Sequence, residues 1–231
     1  MDAGSQTIAV IGGTGAEGRG IALRLANAGY RVIIGTRDPS KAGELVSSLN
    51  HMVQRNTIEC RSNIEAADAS EIVILTVPYS AQETTVRAIS ESLRGKILID
   101  ATAPLVPPKV GQVQLPAGGS AVAKMQALLG DSVRVVSAFQ NISAQKLQKL
   151  KENVDCDVLV CADDVDARRT VIELLAKMGL RGIDAGPICN SAATEALTSI
   201  LISINRKYKL PSSGIRITGI GDGNLEIKME R

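Results

Sequence analysis

The sequence predicts an α/β fold built on a doubly wound, mostly parallel β-sheet, and three observations lead to this prediction. Short apolar segments alternate with segments of helical periodicity along most of the 231 residues. The apolar segments, beginning with residues 8–11, lack the polar–apolar alternation of half-exposed strands, as expected for parallel strands buried on both faces. The first of them leads directly into a glycine-rich turn and a helix, which is the order of a Rossmann-type βαβ unit.

Composition and charge exclude several classes of function. The 26 Lys and Arg residues nearly balance the 24 Asp and Glu residues, and no block of like charges marks a surface for nucleic acid or lipid. Aromatic residues make up only 2% of the chain, too few for a platform that stacks nucleic-acid bases. No apolar segment approaches the roughly 20 residues that span a bilayer. We therefore expect small-molecule partners, and neither nucleic acid nor a membrane.

The cysteines and the histidine do not form a metal-binding pattern. Four cysteines without close paired spacing are accompanied by one histidine, His51, which lies in polar sequence and is predicted to be a surface residue. Cys156 and Cys161 border the apolar run 157–160 and are predicted to be buried, reduced thiols. We therefore predict no metal site and, since no export signal is recognised, a cytoplasmic protein.

The glycine-rich turn is the main indication of function. Gly13, Gly15 and Gly18 have the spacing of a dinucleotide-binding motif. The first permits a tight turn, the second lets the backbone approach a pyrophosphate, and the third lets the helix pack closely on the strand. The following helix would present free N–H groups and its positive dipole end to the phosphates. The residues predicted to bind the cofactor here are Gly13, Thr14, Gly15, Ala16, Glu17 and Gly18.

The residues that follow the second strand favour NADP over NAD. NAD enzymes usually place an acidic residue there to bond the ribose 2′-hydroxyl, whereas this chain has Thr36, Arg37 and Lys41. These side chains suit a 2′-phosphate, and each charge-assisted hydrogen bond to it is worth about 1.5–3 kcal/mol. We interpret Asp38 and Pro39 as the start of the next helix, and not as ribose ligands.

The remaining chain continues the alternation and ends in a long helix. Strands are predicted at residues 57–60, 71–77, 95–100, 132–137, 157–161 and 181–184. Helices are predicted at residues 41–49, 80–93 after a capping box of Ser80 and Glu83, 120–129 with Ser120 as cap, 165–178 and 190–208. The last helix is more apolar than one core-facing stripe requires, which favours a homodimer. We expect an extended segment at 211–219 and frayed residues at 222–231.

The carboxyl ends of the parallel strands are expected to form the ligand crevice. Thr76, Val77, Pro78 and Tyr79 follow one strand and are predicted to wall the nicotinamide side, although Tyr79 also suits helix packing. Ala138 begins the segment 138–144, which follows another strand at the same edge. We divide the chain into a dinucleotide-binding Rossmann-like domain, residues 1–188, and a C-terminal helix and tail, residues 189–231, which completes the second cofactor site.

The chain lacks the proton-transfer residues of two dehydrogenase classes. No tyrosine is followed four residues later by the lysine that short-chain dehydrogenases need. Lys149 and Asn153 have the offset of a hydroxyacid dehydrogenase pair, but they precede a strand and are interpreted as surface residues. We therefore predict no catalytic acid or base, and a reaction that moves only a hydride to a flavin-like ring stacked on the nicotinamide.

Residues 11–15, 35–37, 76–79, 136–139, 184–187, 195–198 and 214–218 together resemble the F420-dependent NADP reductases. The resemblance implies an enzyme that transfers a hydride between NADPH and coenzyme F420, a deazaflavin, and that is typically dimeric. It implies that NADP(H) is held by Thr14, Thr36, Arg37 and Lys41, with Val77, Pro78 and Tyr79 near the nicotinamide. The deazaflavin site would be lined, mostly through backbone groups, by Ile142, Ala144, Thr198 and Ser213.

The chain departs from some of these relatives within the acceptor site. They carry His-Thr where this chain has Gln140 and Asn141, and Trp where it has Tyr79. FMN or FAD therefore stays an alternative acceptor. The alternative functions are an NADPH-dependent flavin, ferric or small-carbonyl reductase, and a non-catalytic NADP(H)-binding protein.

Overall fold

The structure is a computed structural model that describes residues 6–220. Six of its eight strands form the main sheet, and the other two form a separate pair. The strands are β1 (Thr7–Ile11), β2 (Arg31–Thr36), β3 (Ile58–Ser62), β4 (Ile72–Leu75), β5 (Ile97–Asp100), β6 (Arg134–Ser137), β7 (Asp157–Val160) and β8 (Arg181–Asp184). The helices are α1 (Ala16–Asn27), α2 (Gly43–Val53), α3 (Asn63–Asp68), α4 (Tyr79–Leu93), α5 (Ala121–Leu129), α6 (Ala144–Gln148), α7 (Val165–Lys177) and α8 (Ser191–Tyr208).

The strand order confirms the predicted doubly wound fold. The order is β3-β2-β1-β4-β5-β6, and every neighbouring pair is parallel. The direction of the winding therefore reverses between β1 and β4, which is where such sheets bind ligands. Strands β7 and β8 form a separate parallel pair. That pair meets the main sheet through an antiparallel bridge between Ser137 and Cys161.

The apolar strands are explained by burial on both faces. In β1, Ile8 and Val10 pack in the cluster that includes α1, α2 and α7, while Ala9 and Ile11 pack in the cluster that includes α3, α4 and α5. All four side chains are fully buried, so a polar residue at any of these positions would lose its water without gaining a partner.

Helix α8 is joined to the start of α5 by a buried carboxylate. Glu195 Oε2 accepts a hydrogen bond from the Ala121 amide at 2.8 Å, and its Oε1 accepts from the Val122 amide at 3.1 Å and from Ser120 Oγ at 2.6 Å. Ser120 Oγ also accepts from the Ala123 amide at 2.9 Å, which confirms the predicted cap. Burial raises the pKa of Glu195, although these hydrogen bonds oppose the rise.

Some predictions of local structure were wrong. The capping box of Ser80 and Glu83 does not form, because α4 already begins at Tyr79 with Pro78 as its N-cap. Glu83 instead pairs with Arg87 and Lys124 at 2.7 and 2.8 Å. The helix predicted at 41–49 begins at Gly43 and runs to Val53, after a short 3₁₀ turn, Pro39–Lys41. Helices α3 and α6 were not predicted.

The described tail and the thiols agree with the sequence. Residues 211–219 form no helix or strand and run beside β7, where the Asp157 amide donates to the Ile215 carbonyl at 2.8 Å. The prediction for residues 222–231 lies outside the described residues. Cys156 and Cys161 are buried free thiols, and His51 is exposed.

Candidate cofactor-binding site

The register of the sheet gathers the candidate residues at one edge. Gly35 pairs with Ile11, Ile11 with Leu75, Leu75 with Asp100, and Asp100 with Ser137. Because these strands are parallel, the segments that follow them emerge side by side. The glycine turn, the Arg37 segment, the wall at 76–79 and the segment 138–144 therefore share this carboxyl edge.

The glycine turn depends on a glycine one position earlier than the sequence indicated. Gly12 has a φ of 77° in the left-handed region and donates its N–H to the Gly35 carbonyl at 3.0 Å. Gly13, predicted to permit the tight turn, has no positive φ. The close approach belongs to Gly18, where an added Cβ would lie 2.6 Å from both Gly13 Cα and Thr76 Oγ1. A side chain at Gly18 would push α1 away from β4.

The start of α1 is exposed and has no side-chain cap. Its N-cap, Gly15, has extended backbone, and no side chain caps the helix. The first amides of a helix have no partner within the helix, so these groups point outward with the positive end of the dipole. Thr14, Gly15 and Ala16 are exposed. The predicted residues thus form a turn that could hold a pyrophosphate.

The segment after β2 contains two cationic side chains: Lys41 forms an ion pair, and Arg37 has no partner among the described residues. Lys41 Nζ pairs with Asp38 at 2.9 Å, and its side chain is 84% exposed. Hydrogen bonds from Ser40 and Lys41 lower the pKa of Asp38. Arg37 is exposed and makes no hydrogen bond or ion pair with any residue in 6–220. Thr36 Oγ1 accepts from the Asp38 amide at 3.4 Å. Asp38 therefore belongs to the short 3₁₀ turn before α2, and not to the start of that helix as predicted. Arg37 is available to an anion.

The predicted nicotinamide wall lies against the glycine turn. The Thr76 amide and Thr76 Oγ1 both donate to the Ile11 carbonyl at 2.9 Å. A Cβ added at Gly12 would lie 2.9 Å from Val77 Cγ1, so the two segments are in direct contact. Pro78 is exposed and Tyr79 is half-buried at the start of α4. The wall therefore stands at the point where the strand order reverses.

A buried polar network forms the floor of the crevice. Asp100 is fully buried, and its Oδ2 accepts from Gln82 Nε2 at 2.6 Å while its Oδ1 accepts from the Thr102 amide at 2.9 Å. Gln140 Nε2 donates to the Asp100 carbonyl at 2.7 Å. Burial raises the pKa of Asp100, although its hydrogen bonds oppose the rise. Thr102 Oγ1 and Gln140 Oε1 are buried without a hydrogen-bond partner in the described structure.

Glu17 differs from an ordinary surface acid at a helix start. It is half-buried, and its side chain makes no hydrogen bond within the part of the chain described. Burial, and then the negative charge of Asp100, raise the pKa of Glu17 to about 8. The carboxyl group is therefore mostly neutral at pH 7, so it would not repel a phosphate at the start of α1.

The segment after β6 is held by hydrogen bonds to strand β7 and helix α8. Phe139 is buried and has a φ of 78°, an uncommon conformation for a residue with a side chain. Asn141 Nδ2 donates to the Asp157 carbonyl at 2.6 Å, and its Oδ1 accepts from the Leu159 amide at 3.2 Å. Thr198 Oγ1 donates to the Gln140 carbonyl at 2.7 Å. Strand β7 and helix α8 thus fix the loop that carries Ala138 and Ile142.

Helix α6 is attached to α1 by a buried guanidinium. Arg24 is only 4% exposed and donates to the carbonyls of Leu147 at 2.9 Å, Lys146 at 3.0 Å and Lys149 at 3.1 Å. Its Nη1 also donates to the Met178 carbonyl at 3.2 Å. These bonds satisfy the last carbonyls of α6, where a cation is favoured. Ala144, at the start of α6, is therefore held at a fixed position relative to the glycine turn.

The residues that support the site are Arg24, Gln82, Asp100, Thr102, Gln140 and Asn141, all buried. The sequence placed only Gln140 and Asn141 in the crevice, as positions where the chain departs from some relatives, and it did not identify the other four. The sequence contained one signal for Arg24, which interrupts the apolar stretch 21–26. The other supporting residues follow or face the ends of apolar strands. Within residues 6–220 no group of three or more His, Cys, Asp or Glu could hold a metal. The same residues contain no helix long and apolar enough to cross a membrane.

The fold and the open helix start at the strand reversal define a Rossmann-type dinucleotide-binding protein. A family model described as NADP oxidoreductase, coenzyme F420-dependent, matches residues 7–104. The F420-dependent NADP reductase of Methanothermobacter marburgensis is 41% identical over 92% of this chain and 98% of its own length. The enzyme of that name from Methanocaldococcus jannaschii is 40% identical over 95% and 99%. The chain therefore belongs to the F420-dependent NADP reductase family, which confirms the resemblance read from its motifs.

A solved structure shows the same fold along most of the chain. A protein from Arthrobacter sp. FB24 superposes with a TM-score of 0.78 at 25% identity. The match covers 93% of this chain and 100% of the other. The second half, including β7, β8 and α8, is thus part of the shared architecture.

Proposed function

We propose that the protein is an oxidoreductase that transfers a hydride between NADP(H) and coenzyme F420. The observation that carries the proposal is identity of about 40% to F420-dependent NADP reductases over nearly their full length. The open start of α1 and the free Arg37 side chain support the NADP(H) half. The buried, unpartnered Ser213 Oγ and Gln140 Oε1 support a second ligand at the acceptor side.

We propose the following division of the site. NADP(H) contacts the turn formed by Gly13, Thr14, Gly15, Ala16, Glu17 and Gly18, the 2′-phosphate group of residues Thr36, Arg37 and Lys41, and the wall formed by Thr76, Val77, Pro78 and Tyr79. F420 contacts Ala138, Ile142, Ala144, Thr198 and Ser213. The C-terminal helix and tail, residues 189–231, complete the acceptor site on the domain formed by residues 1–188.

The residues of the chain act by binding and orientation. When bound, NADPH would supply a hydride, and the deazaflavin ring would accept it together with one proton from solvent. The pairing of β1 with β4 holds the glycine turn against the segment 76–79. The buried hydrogen bonds of Asp100 fix the residues beneath them. Fixing two rings in one orientation removes much of the entropy cost of a reaction between two molecules. No catalytic acid or base is assigned.

We extend the proposal to a cytoplasmic homodimer. Helix α8 leaves Ile200 43% exposed, and Leu210 just beyond it is also 43% exposed, which supports burial against a second copy. The cysteines within the described residues are all free thiols, which supports a reducing compartment.

The experiment mixes the protein with NADPH and F420 and follows the deazaflavin absorbance. We expect the absorbance to fall with turnover, and FMN and FAD to be poor acceptors in parallel reactions. Turnover of FMN without turnover of F420 would instead support an ordinary flavin reductase. Tight NADPH binding without oxidation by any acceptor would support the non-catalytic alternative.

A further inference from the structure

Asp38 lies among the residues proposed to hold the 2′-phosphate of NADP(H). It stands between Arg37 and Lys41 in the segment that follows β2. The Asp38 amide donates to Thr36 Oγ1 at 3.4 Å, so its backbone is attached to the first residue of that group. A carboxylate is therefore built into the part of the crevice proposed to hold an anion.

The Asp38 carboxylate binds two donors of its own turn. Its Oδ1 accepts a hydrogen bond from Ser40 Oγ at 2.5 Å, and its Oδ2 pairs with Lys41 Nζ at 2.9 Å. These bonds lower the pKa of Asp38, so its side chain is negatively charged at neutral pH. A hydroxyl and an ammonium are also donors that suit phosphate oxygens. The carboxylate thus holds its donors as a phosphate group would hold them.

We infer that the Asp38 carboxylate is an internal competitor of the 2′-phosphate and limits the preference of the protein for NADPH over NADH. The inference rests on the proposed function, because that proposal places the 2′-phosphate at Thr36, Arg37 and Lys41. A phosphate that binds Lys41 must take it from Asp38, and the carboxylate then lies beside a second negative group. NADH has no 2′-phosphate, so its binding leaves the bonds of Asp38 in place.

Repulsion contributes more to this competition than the lost ion pair does. The side chains of Lys41 and Asp38 are 84% and 45% exposed, and an ion pair in such a position is weak. The repulsion between a carboxylate and a doubly charged phosphate about 6 Å away in water corresponds to about 3-fold to 10-fold in affinity. Salt reduces this repulsion, because both groups are in contact with solvent.

The test compares Asp38→Asn with the wild type by fluorescence titration with NADPH and NADH at low salt. Asparagine keeps the shape of the side chain and an oxygen that can accept from Ser40 Oγ, so the main change is the loss of charge. NADPH affinity should rise by about 3-fold to 10-fold, and NADH affinity should stay within about twofold. At about 1 M salt the Debye length is about 3 Å, and the gain for NADPH should fall below about twofold.

Asp68→Asn is the matched control. It removes the same charge from an exposed residue at the end of α3, which leads from the carboxyl end of β3 to the start of β4. Asp68 therefore lies toward the opposite edge of the sheet. This variant should bind both nucleotides as the wild type does.

The results separate this inference from the proposed function. Unchanged or weaker NADPH binding in Asp38→Asn, an equal gain for NADPH and NADH, or the same gain in Asp68→Asn would each overturn the inference. A gain that persists at high salt would assign the effect to the shape of the turn and overturn it as well. The titrations involve no reaction, so failure to reduce F420 would contradict the proposed function and leave these comparisons valid. A wild type that binds NADPH no more tightly than NADH would show that the 2′-phosphate is misplaced.

Discussion

Arg37 and Lys41 differ in their availability to a 2′-phosphate. Lys41 must first leave Asp38, at 2.9 Å, whereas Arg37 has no partner among the described residues to give up. An exposed ion pair of this kind is worth only about 0–1 kcal/mol, so Asp38 does not prevent the exchange. Arg37 should therefore contribute more to the discrimination between NADPH and NADH.

Arg37→Ala should weaken NADPH binding by about 10-fold to 100-fold through loss of charge-assisted hydrogen bonds to the phosphate. NADH, which lacks the phosphate, should bind with nearly unchanged affinity. Fluorescence titration with each nucleotide measures both constants. Arg55→Ala, which removes another exposed arginine, should change neither. Equal losses for NADPH and NADH would place the 2′-phosphate elsewhere.

Glu17 should make NADPH binding sensitive to pH above neutrality. Its pKa of about 8 means that the neutral form predominates at pH 7, and that a negative charge develops at the phosphate-binding turn as the pH rises. NADPH affinity should therefore fall between about pH 7 and about pH 9 in the wild type, and should stay level in Glu17→Gln. Titrations across this range test the expectation, with Glu44→Gln as the control at an exposed glutamate. A parallel fall in Glu17→Gln would assign the titration to another group.

The same pKa has a consequence for folding stability. The folded-state pKa of about 8 lies above 4.5, the ordinary pKa of a glutamate, so the unfolded chain ionises first as the pH rises. The free energy of unfolding is then highest below about pH 4.5 as far as Glu17 is concerned, and declines up to about pH 8. Urea unfolding at several pH values should show a shallower decline for Glu17→Gln.

At the scale of elements, α6 is a short helix whose position depends on its partner. Its five residues are too few for stability in isolation, and its last carbonyls accept hydrogen bonds from Arg24 of α1. Helices α1 and α6 are therefore joined by one guanidinium. Burial lowers the pKa of Arg24.

Arg24→Met should destabilise the protein by about 2–4 kcal/mol, because several buried carbonyls would lose their donors while the side chain keeps a similar length. Urea unfolding measures the change. Arg19→Met, at an exposed position of the same helix, should cost less than about 0.5 kcal/mol. A small effect of Arg24→Met would show that other contacts are sufficient to hold α6.

The sequence predicted the sheet well and the short elements poorly, for a physical reason. Strands such as β1 are buried on both faces, so their composition alone identifies them. Helix α3 begins with a capping box of Ser62 and Glu65, so its start is encoded locally in the sequence. Helix α6 instead depends on Arg24, which is far away in the sequence. The capping box predicted at Ser80 and Glu83 does not form, because Pro78 is already the N-cap of that helix. The buried supports of the site, such as Gln140, require knowledge of which strands are neighbours.

At the scale of the whole molecule, Asp157 joins the loop at 138–144 to the tail. Its side chain is fully buried and pairs with Arg181 Nη1 at 3.0 Å, while its Oδ2 accepts from the Ile217 amide at 2.6 Å. Its backbone carbonyl accepts from Asn141. The β7–β8 pair therefore connects the loop at 138–144 to the segment that carries Ser213.

Asp157→Asn should lower stability by about 3–5 kcal/mol, the usual cost of removing one charge from a buried pair. Because Asp157 bonds both the tail and the loop at 138–144, which contain residues proposed to contact F420, the KM for F420 should rise more than the KM for NADPH. Thermal unfolding and steady-state kinetics with each substrate varied provide the two readings. Asp155→Asn, at an exposed ion pair, should leave both nearly unchanged. An equal rise in the two KM values would indicate general loosening of the fold.

The carboxylate of Glu195 at the start of α5 has a consequence for ligand selectivity. A helix start near the crevice is attractive to any phosphate, and α1 and α5 both follow strands that end at this edge. The Glu195 side chain accepts hydrogen bonds from the Ala121 and Val122 amides, so these groups at the start of α5 find their partner within the chain. The first amides of α5 are therefore already bonded, whereas no side chain caps α1, so a phosphate that enters the crevice should prefer the start of α1 to the start of α5.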